Sequence, residues 1–267
     1  MVRLRIDLSY DGTDFRGWAI QPELRTVQGT LEAALATVLR LPAVSVVCAG
    51  RTDTGVHARG QVVHVDLPGP ASYDARLLRR LNGILSADVR VLAVAPAAHG
   101  FDARYSALWR RYTYRVADDA SLADPLTRRH VLAGPHPLDL DAMNRACEPL
   151  LGLQDFTAFC RRREGATTVR TLLDLAWSRD DAGVAVCAVR ADAFCHRMVR
   201  SLVGCLMAVG EGRRQPEWAA SILAARLRDP SLKVAPARGL TLEEVCYPDA
   251  DQLAVRAGRT RAKRETL

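Results

Sequence analysis

The first segment of the chain alternates strictly between apolar and polar residues. Apolar side chains occupy every second position from Val2 to Tyr10, with arginine, aspartate or serine between them. A period of two is typical of a β-strand that buries one face and exposes the other. Beyond a turn at Asp11-Gly12-Thr13, apolar residues from Val27 to Leu39 recur at helical spacing behind Thr26, a residue type that caps helices. The chain therefore begins with a predicted strand and a predicted helix.

Four more elements are predicted in the first hundred residues. They are a strand over 44–49, a strand over 61–67, a helix over 73–85 and a strand over 89–95. The resulting order is β-α-β-β-α-β, the ferredoxin-like split unit. This layout is common among RNA-binding domains, although a fold alone does not determine a function.

The second half of the chain repeats this order. It carries predicted strands over 107–116, near 169–177 and 184–190 and over 240–247, and helices over 141–150, over 196–209 and from Pro216. We therefore predict an α+β protein with two ferredoxin-like halves, residues 1–100 and 101–248, whose mainly antiparallel sheets flank a central active-site cleft. Residues 249–267 are rich in arginine, and we expect them to form a basic, mobile tail.

The charge of the chain favours a polyanionic partner. Its 267 residues carry a net charge of +7, and its pI is about 9.3. Only Lys233 and Lys263 are lysines, and arginine suits bidentate phosphate contacts and stacking on bases. A GC-rich genome explains the preference for arginine equally well, but it does not remove the positive charge that attracts phosphates. Nucleic acid is the leading candidate.

The cysteines and the apolar segments indicate the compartment. Seven cysteines are scattered without a C-x-x-C pair, so we expect reduced thiols in a cytoplasm. The first ten residues contain no apolar core of a signal peptide, and nowhere do about 18 apolar residues run together. We predict a cytoplasmic protein that is neither secreted nor inserted in a membrane.

The stretch from Gly50 to Ala58, GRTDTGVHA, is the densest group of chemical side chains. It lies between two predicted strands, where loops commonly carry reactive groups. From these residues alone, Asp53 either caps a turn or acts as a catalytic carboxylate. His57 and His64, near Asp53 and Asp66, also suggest a metal site, but no spacing typical of metal ligands is present. We predict that the protein binds no metal.

The same stretch resembles the signature of the tRNA pseudouridine synthase A family. The resemblance extends from Val2 to Pro248, and Ala19 departs from it by replacing a glutamine, while residues 160–168 do not align with the family pattern. Supporting segments are Tyr10-Asp11-Gly12-Thr13, Gly17-Trp18, Phe101 to Ala107, Arg110-Arg111-Tyr112, Asp155-Phe156-Thr157, Ala193-Phe194, Met198-Val199-Arg200, Ala235-Pro236-Ala237 and Gly239-Leu240.

This resemblance implies an enzyme that isomerises uridine to pseudouridine at positions 38–40 of the tRNA anticodon stem-loop. It implies Asp53 as the catalytic aspartate, Tyr112 as the tyrosine that packs on the target base and Arg200 as the arginine that pairs with the aspartate. Leu240 resembles the aliphatic residue that lies against the base. The resemblance also implies a homodimer that binds tRNA and uses no cofactor.

Physical chemistry agrees with these roles. The reaction replaces a nitrogen-carbon bond by a carbon-carbon bond, so it needs neither redox chemistry nor a metal, and a carboxylate nucleophile can suffice. A cation would favour the ionised form of Asp53, and Arg51 and Arg200 are both candidates. The target uridine must leave its stack, so one side chain has to fill the vacated space and another has to cover the extruded base. Arg51 and Tyr112 are suited to these two tasks. Whether Asp53 attacks the sugar, attacks the uracil or removes a sugar proton stays open.

Simpler explanations exist for several of these residues. Tyr112 and Leu240 also suit the core of a sheet, where aromatic and branched residues are common. The arginine pairs suit either an RNA-binding track or a solvated surface; they are Arg79-Arg80, Arg110-Arg111, Arg128-Arg129, Arg161-Arg162-Arg163 and Arg213-Arg214.

Three other classes of protein share some of these features. A non-catalytic RNA-binding protein shares the charge and the architecture, but it has no use for the Asp53 loop. A metal-dependent nuclease needs paired acidic ligands, which are not evident. A methyltransferase needs a glycine-rich turn after an early strand, and Asp11-Gly12-Thr13 is not one. The non-catalytic RNA-binding protein remains the alternative.

Overall fold

The computed structural model describes residues 1–68, 75–161 and 167–261. Their contacts divide the chain into two compact units. The first unit holds the described residues of Met1–Leu108 and Leu242–Ala262, and the second holds those of Trp109–Thr241. Both units are mixed α/β, and their strands pair mostly antiparallel, as predicted. No helix in the described ranges is both long and apolar enough to cross a membrane.

The first unit contains six elements before residue 100. They are β1 (Val2–Tyr10), α1 (Val27–Leu39), β2 (Val46–Cys48), β3 (His57–Leu67), α2 (Ala75–Ile84) and β4 (Val89–Pro96). The predicted strand and the predicted cap of the first helix are confirmed, because the Thr26 side chain accepts a hydrogen bond from the Gly29 N–H. The predicted start of the second helix at Tyr73 lies outside the described residues.

The strands of this unit lie in the order β4-β1-β3-β2, and each neighbouring pair is antiparallel. Ile6 at the centre of β1 lies opposite Val63 and Val94. Leu4, Ile6 and Leu8 are fully buried, as the period of two predicts. The loop between β2 and β3, which carries Asp53, is therefore anchored at both ends on neighbouring strands of one sheet.

The second unit contains most of the remaining elements. They are β5 (Trp109–Ala117), β6 (Leu132–Ala133), α3 (Leu140–Cys147), β7 (Gly152–Asp155), β8 (Val169–Arg179), β9 (Ala185–Ala191), α4 (Met198–Gly210) and α5 (Glu217–Ala225), followed by β10 (Leu240–Cys246), whose first two residues belong to this unit and whose other residues belong to the first. Its sheet has the order β5-β9-β8-β7 with antiparallel pairs, and β6 pairs in parallel with β5. The two short strands β6 and β7 were not predicted, because two to four residues show no clear period.

The two units are divided differently from the predicted halves. Residues 101–108 and 242–248 belong to the first unit, although the sequence placed them in the second half. The Ala103 N–H donates to His64 Nδ1 at 3.0 Å, and the Leu108 N–H donates to the Cys246 carbonyl at 2.8 Å. These contacts tie both segments to the first unit.

The chain after Pro248 differs from the mobile tail that its charge suggested. It forms a 3₁₀ turn and the helix α6 (Leu253–Arg261), in which Leu253 and Ala257 are buried. Arg261 forms an ion pair with Asp102 at 2.9 Å. The two apolar residues are four apart on one face of a helix, and the surrounding arginines hide this short pattern in the sequence. Residues 262–267 lie outside the described part of the chain.

Candidate active site

The loop between β2 and β3 presents Asp53 at a tight turn. Gly55 has a left-handed φ of 78°, and the Val56 N–H donates to the Asp53 carbonyl at 3.1 Å, which closes the turn. Within the loop, Thr52 is buried, Asp53 is half-buried and Arg51 is exposed. The structure thus brings Arg51 and Asp53 together in one loop, with the carboxylate partly shielded from water.

Residues from the start of the chain support this loop. The Trp18 N–H donates to the Thr52 carbonyl at 3.0 Å. A Cβ atom at Gly12 would lie 2.0 Å from the Val56 carbonyl oxygen, and one at Gly17 would lie 3.1 Å from the Thr52 carbonyl oxygen. Glycine therefore permits the backbone of the first turn to approach the loop closely.

His57 and His64, considered above as metal ligands, accept hydrogen bonds from backbone N–H groups. The Gly12 N–H donates to His57 Nδ1 at 3.1 Å, and the Ala103 N–H donates to His64 Nδ1 at 3.0 Å. Burial lowers the pKa of His64, which favours the neutral ring that this hydrogen bond requires. Among the described residues, no group of three or more His, Cys, Asp or Glu side chains is placed to hold a metal ion.

Tyr112 lies on β5 of the second unit and contacts Phe194, an aromatic residue that had no predicted role of its own. Its ring meets Phe194 edge to face, with 5.2 Å between the ring centroids and an interplanar angle of 89°. Tyr112 is buried, whereas Phe194 is half-buried in the loop between β9 and α4. The sequence contained Phe194 as part of the family resemblance, but only the fold shows that it contacts Tyr112.

Arg200 fastens α4 to the segment that precedes β10. Its Nε donates to the Ala235 carbonyl at 2.8 Å, and the Ala235 N–H donates back to the Arg200 carbonyl at 2.9 Å. Tyr114, two residues beyond Tyr112, donates its hydroxyl to the neighbouring Pro236 carbonyl at 2.9 Å. Burial raises the pKa of Tyr114 well above its ordinary value, although the positive charge of Arg200 opposes this shift. This hydroxyl therefore stays protonated and acts as a donor.

Leu240 is the first residue of β10 and is buried. Its N–H donates to the Ala237 carbonyl at 2.9 Å, and Gly239 before it lies against the ring of Tyr114. The segment from Ala235 to Leu240 thus links Arg200 with Leu240 and passes over Tyr114. Tyr112, Arg200 and Leu240 lie in the second unit, whereas Arg51 and Asp53 lie in one loop of the first.

Two cysteines differ from the expected reduced thiols. Cys160 and Cys195 form a disulfide, with their Cα atoms 5.8 Å apart, and the other five cysteines carry thiols. Cys160 follows the 3₁₀ turn Thr157–Phe159, and Cys195 follows Phe194. The two cysteines are 35 positions apart in the sequence, so the sequence does not predict this pairing, which depends on the folded chain.

The arginine pairs have different surroundings, so each pair is described by its own contacts. Arg110 is buried and donates to the Asp192 carbonyl at 2.7 Å. The guanidinium of Arg214 lies 4.9 Å from the centre of the Trp218 ring, and Arg213 pairs with Glu211. Arg162 and Arg163 lie outside the described residues. A continuous RNA-binding track therefore remains a prediction for the exposed pairs alone.

Comparison with known proteins identifies the family. A family model described as tRNA pseudouridine synthase matches residues 146–248, which gives the class. The tRNA pseudouridine synthase A of Frankia casuarinae is 60% identical over 264 residues, covering 99% of this chain and 96% of the relative. The corresponding protein of Mycobacterium leprae is 50% identical over 280 residues, covering 100% and 96%. The chain belongs to the tRNA pseudouridine synthase A family, and the resemblance seen in the sequence is confirmed.

Proposed function

We propose that the protein isomerises uridine to pseudouridine at positions 38–40 of the tRNA anticodon stem-loop, with Asp53 as the catalytic carboxylate. Membership of the family makes the chain an isomerase that acts on tRNA. The assignment of Asp53 as the catalytic carboxylate rests on the structure of its loop. The half-buried Asp53 lies at the turn, between the buried Thr52 and the buried Val56, whose N–H donates to the Asp53 carbonyl.

The proposed reaction rearranges the target nucleotide without gaining or losing atoms. The bond from the sugar to a uracil nitrogen breaks, and a bond from the sugar to a uracil carbon forms. That carbon loses a proton, and the freed nitrogen takes one up. The sum of these changes is neither an oxidation nor a reduction, so the protein needs no cofactor. A carboxylate that is partly shielded from water is a stronger partner for the reacting nucleotide than a fully hydrated one. Asp53 has this environment.

The other candidate residues receive roles that the resemblance and the chemistry of base extrusion suggest. Arg51 is exposed beside Asp53, where a long cation can fill the space left by an extruded base. Tyr112 and Phe194 form an aromatic pair suited to cover the base. We assign Arg200 to pairing with the catalytic carboxylate and Leu240 to contact with the base.

We also propose the finer features of the architecture. The order β4-β1-β3-β2 in the first unit supports a ferredoxin-like half. The order β5-β9-β8 in the second, with α3 before β8 and α4 after β9, supports another. A homodimer that binds one tRNA across both subunits and a cytoplasmic location complete the proposal. Sedimentation with and without tRNA tests the dimer.

The experiment that tests this function maps the product. Purified protein is incubated with an unmodified tRNA transcript in EDTA without added cofactor, and pseudouridine is located by chemical labelling. We expect pseudouridine at positions 38–40 and none in a matched transcript that carries cytidine there. If tRNA binds and no pseudouridine forms, the protein is a non-catalytic RNA-binding protein and the proposal is overturned.

A further inference from the structure

We propose that Tyr10, Thr52 and Gln61 are positioning residues that hold the Asp53 loop in its reactive geometry. This inference rests on the assignment of Asp53 as the catalytic residue. The three side chains come from the end of β1, from the loop itself and from β3, and they act on the reaction only through the backbone beside Asp53.

The three side chains form a chain of buried hydrogen bonds. The hydroxyls of Tyr10 and Thr52 lie 2.8 Å apart. Gln61 Nε2 donates to Tyr10 Oη at 3.3 Å and to the Gly50 carbonyl at 2.8 Å. The exposed fractions of Tyr10, Thr52 and Gln61 are 4%, 7% and 0%. Water therefore competes little for these bonds, and the low local dielectric strengthens them.

Packing alone does not account for this polar chain. Phenylalanine, valine and leucine fill similar space at such positions, and they avoid the cost of burying hydroxyl and amide groups. Polar groups at all three positions satisfy one another and connect to two points of the loop, the Gly50 carbonyl and the Thr52 side chain. In addition to packing, this chain of hydrogen bonds holds the loop in one defined position.

The loop is then held on both sides of the Asp53 side chain. Before Asp53, Gln61 holds Gly50, and Tyr10 and the Trp18 N–H hold Thr52. After it, the Val56 N–H holds the Asp53 carbonyl. Because a displacement of about 1 Å can cost a catalytic group about 100-fold in rate, loss of one hydrogen bond in this set should affect turnover more than folding.

The experiment compares hydroxyl deletions in the same unit. Tyr10→Phe and Thr52→Val each remove one hydroxyl of the network, Thr52→Ser retains it, and Tyr247→Phe is the matched control. Tyr247 donates its hydroxyl to the Ala103 carbonyl at 2.7 Å in the first unit, away from the loop. Pseudouridine formation is measured at saturating tRNA, together with tRNA affinity and thermal unfolding.

We expect Tyr10→Phe and Thr52→Val to lower the rate at saturating tRNA by about 10- to 100-fold, with tRNA affinity within about twofold of wild type. The double variant should be no slower than the slower single variant, because both break the same bond. Thr52→Ser and Tyr247→Phe should remain within about threefold of wild type.

Two outcomes are informative in different ways. If the wild type forms pseudouridine and both deletions turn over at its rate, or if their losses simply multiply in the double variant, the positioning role is overturned and the proposed function stands. If the wild type is inactive, or Asp53→Asn turns over like the wild type, the proposed function itself fails and the positioning role with it. Should Tyr10→Phe fold poorly, the contrast between Thr52→Val and Thr52→Ser decides.

Discussion

In the first unit, the loop that carries Asp53 is fastened by buried hydrogen bonds, whereas in the second unit Tyr112 is fastened by contact between rings. The bond between Tyr10 and Thr52 is directional and short. The edge-to-face contact between Tyr112 and Phe194 is broad and tolerates small shifts. A reacting carboxylate needs an exact distance and angle, while a side chain that covers a base needs area. The Asp53 loop and the pair Tyr112–Phe194 are therefore held by the kind of contact that the task of each requires.

This comparison ranks the expected effects of substitutions. Changes at the carboxylate or in the backbone of its loop should act mainly on the rate of the chemical step. Changes at the ring pair should act more weakly and more gradually. Changes far from both regions should alter stability alone.

The largest effect is expected for Asp53→Asn. The substitution preserves shape but removes the negative charge, so we expect turnover to fall about 10⁴-fold or more. Thermal unfolding and tRNA affinity should stay close to those of the wild type. Single-turnover pseudouridine formation measures the loss, and Asp14→Asn, an exposed acid outside the loop, serves as the control. Turnover of Asp53→Asn near the wild-type rate would contradict the assignment.

A smaller but still large effect is expected for Gly12→Ala. The new methyl group would lie 2.0 Å from the Val56 carbonyl oxygen, so the loop or the first turn must move. We expect a loss of about 1–3 kcal/mol in unfolding free energy and a clear fall in turnover. Chemical denaturation and the pseudouridine assay measure the two losses.

Gly83→Ala is the matched control for this substitution. Apart from its chain neighbours and the backbone of its own helix α2, no atom of the described residues lies within 4 Å of a Cβ at Gly83. Alanine should therefore stabilise that helix by about 0.5–1 kcal/mol without changing turnover. Equal behaviour of the two variants would mean that the close approach at Gly12 does not matter to the loop.

A moderate effect is expected for Phe194→Leu, which keeps the apolar volume and loses the aromatic edge. Edge-to-face pairs contribute about 0.5–1.5 kcal/mol, so we expect kcat/KM for tRNA to fall about 3- to 10-fold. Phe194→Tyr retains the ring and should remain closer to wild type. A 1000-fold loss for Phe194→Leu would show that this region needs the same precision as the Asp53 loop and would remove the contrast between them.

The smallest expected effect is a dependence of the free energy of unfolding on pH. Burial lowers the pKa of His64, so the unfolded chain, with an ordinary histidine pKa near about 6.5, binds this proton more readily. The neutral ring therefore adds stability that is present above about pH 6.5 and is lost as the pH falls below it. Unfolding free energies between pH 7.5 and 5 should decline less steeply for His64→Asn, which offers an acceptor that does not titrate. Parallel curves for the two proteins would show that His64 does not titrate on unfolding.

Elements with a local cause could be predicted from the amino-acid sequence alone. The alternation over β1 and the helical spacing behind Thr26 give their elements directly, because a strand face and a helix face each bury a fixed set of positions. The Asp53 loop was also evident, since its residue types are contiguous in the chain. Family membership followed from the same contiguous residues.

Contacts between residues that are far apart in the sequence could be identified in the folded chain alone. The contact of Tyr112 with Phe194, the disulfide between Cys160 and Cys195 and the packing of α6 depend on partners far away in the chain. The bonds among Tyr10, Thr52 and Gln61 span 42 and 51 residues of sequence. Such pairs leave no periodic trace, because a side chain selects a distant partner by its position in space after the strands have paired.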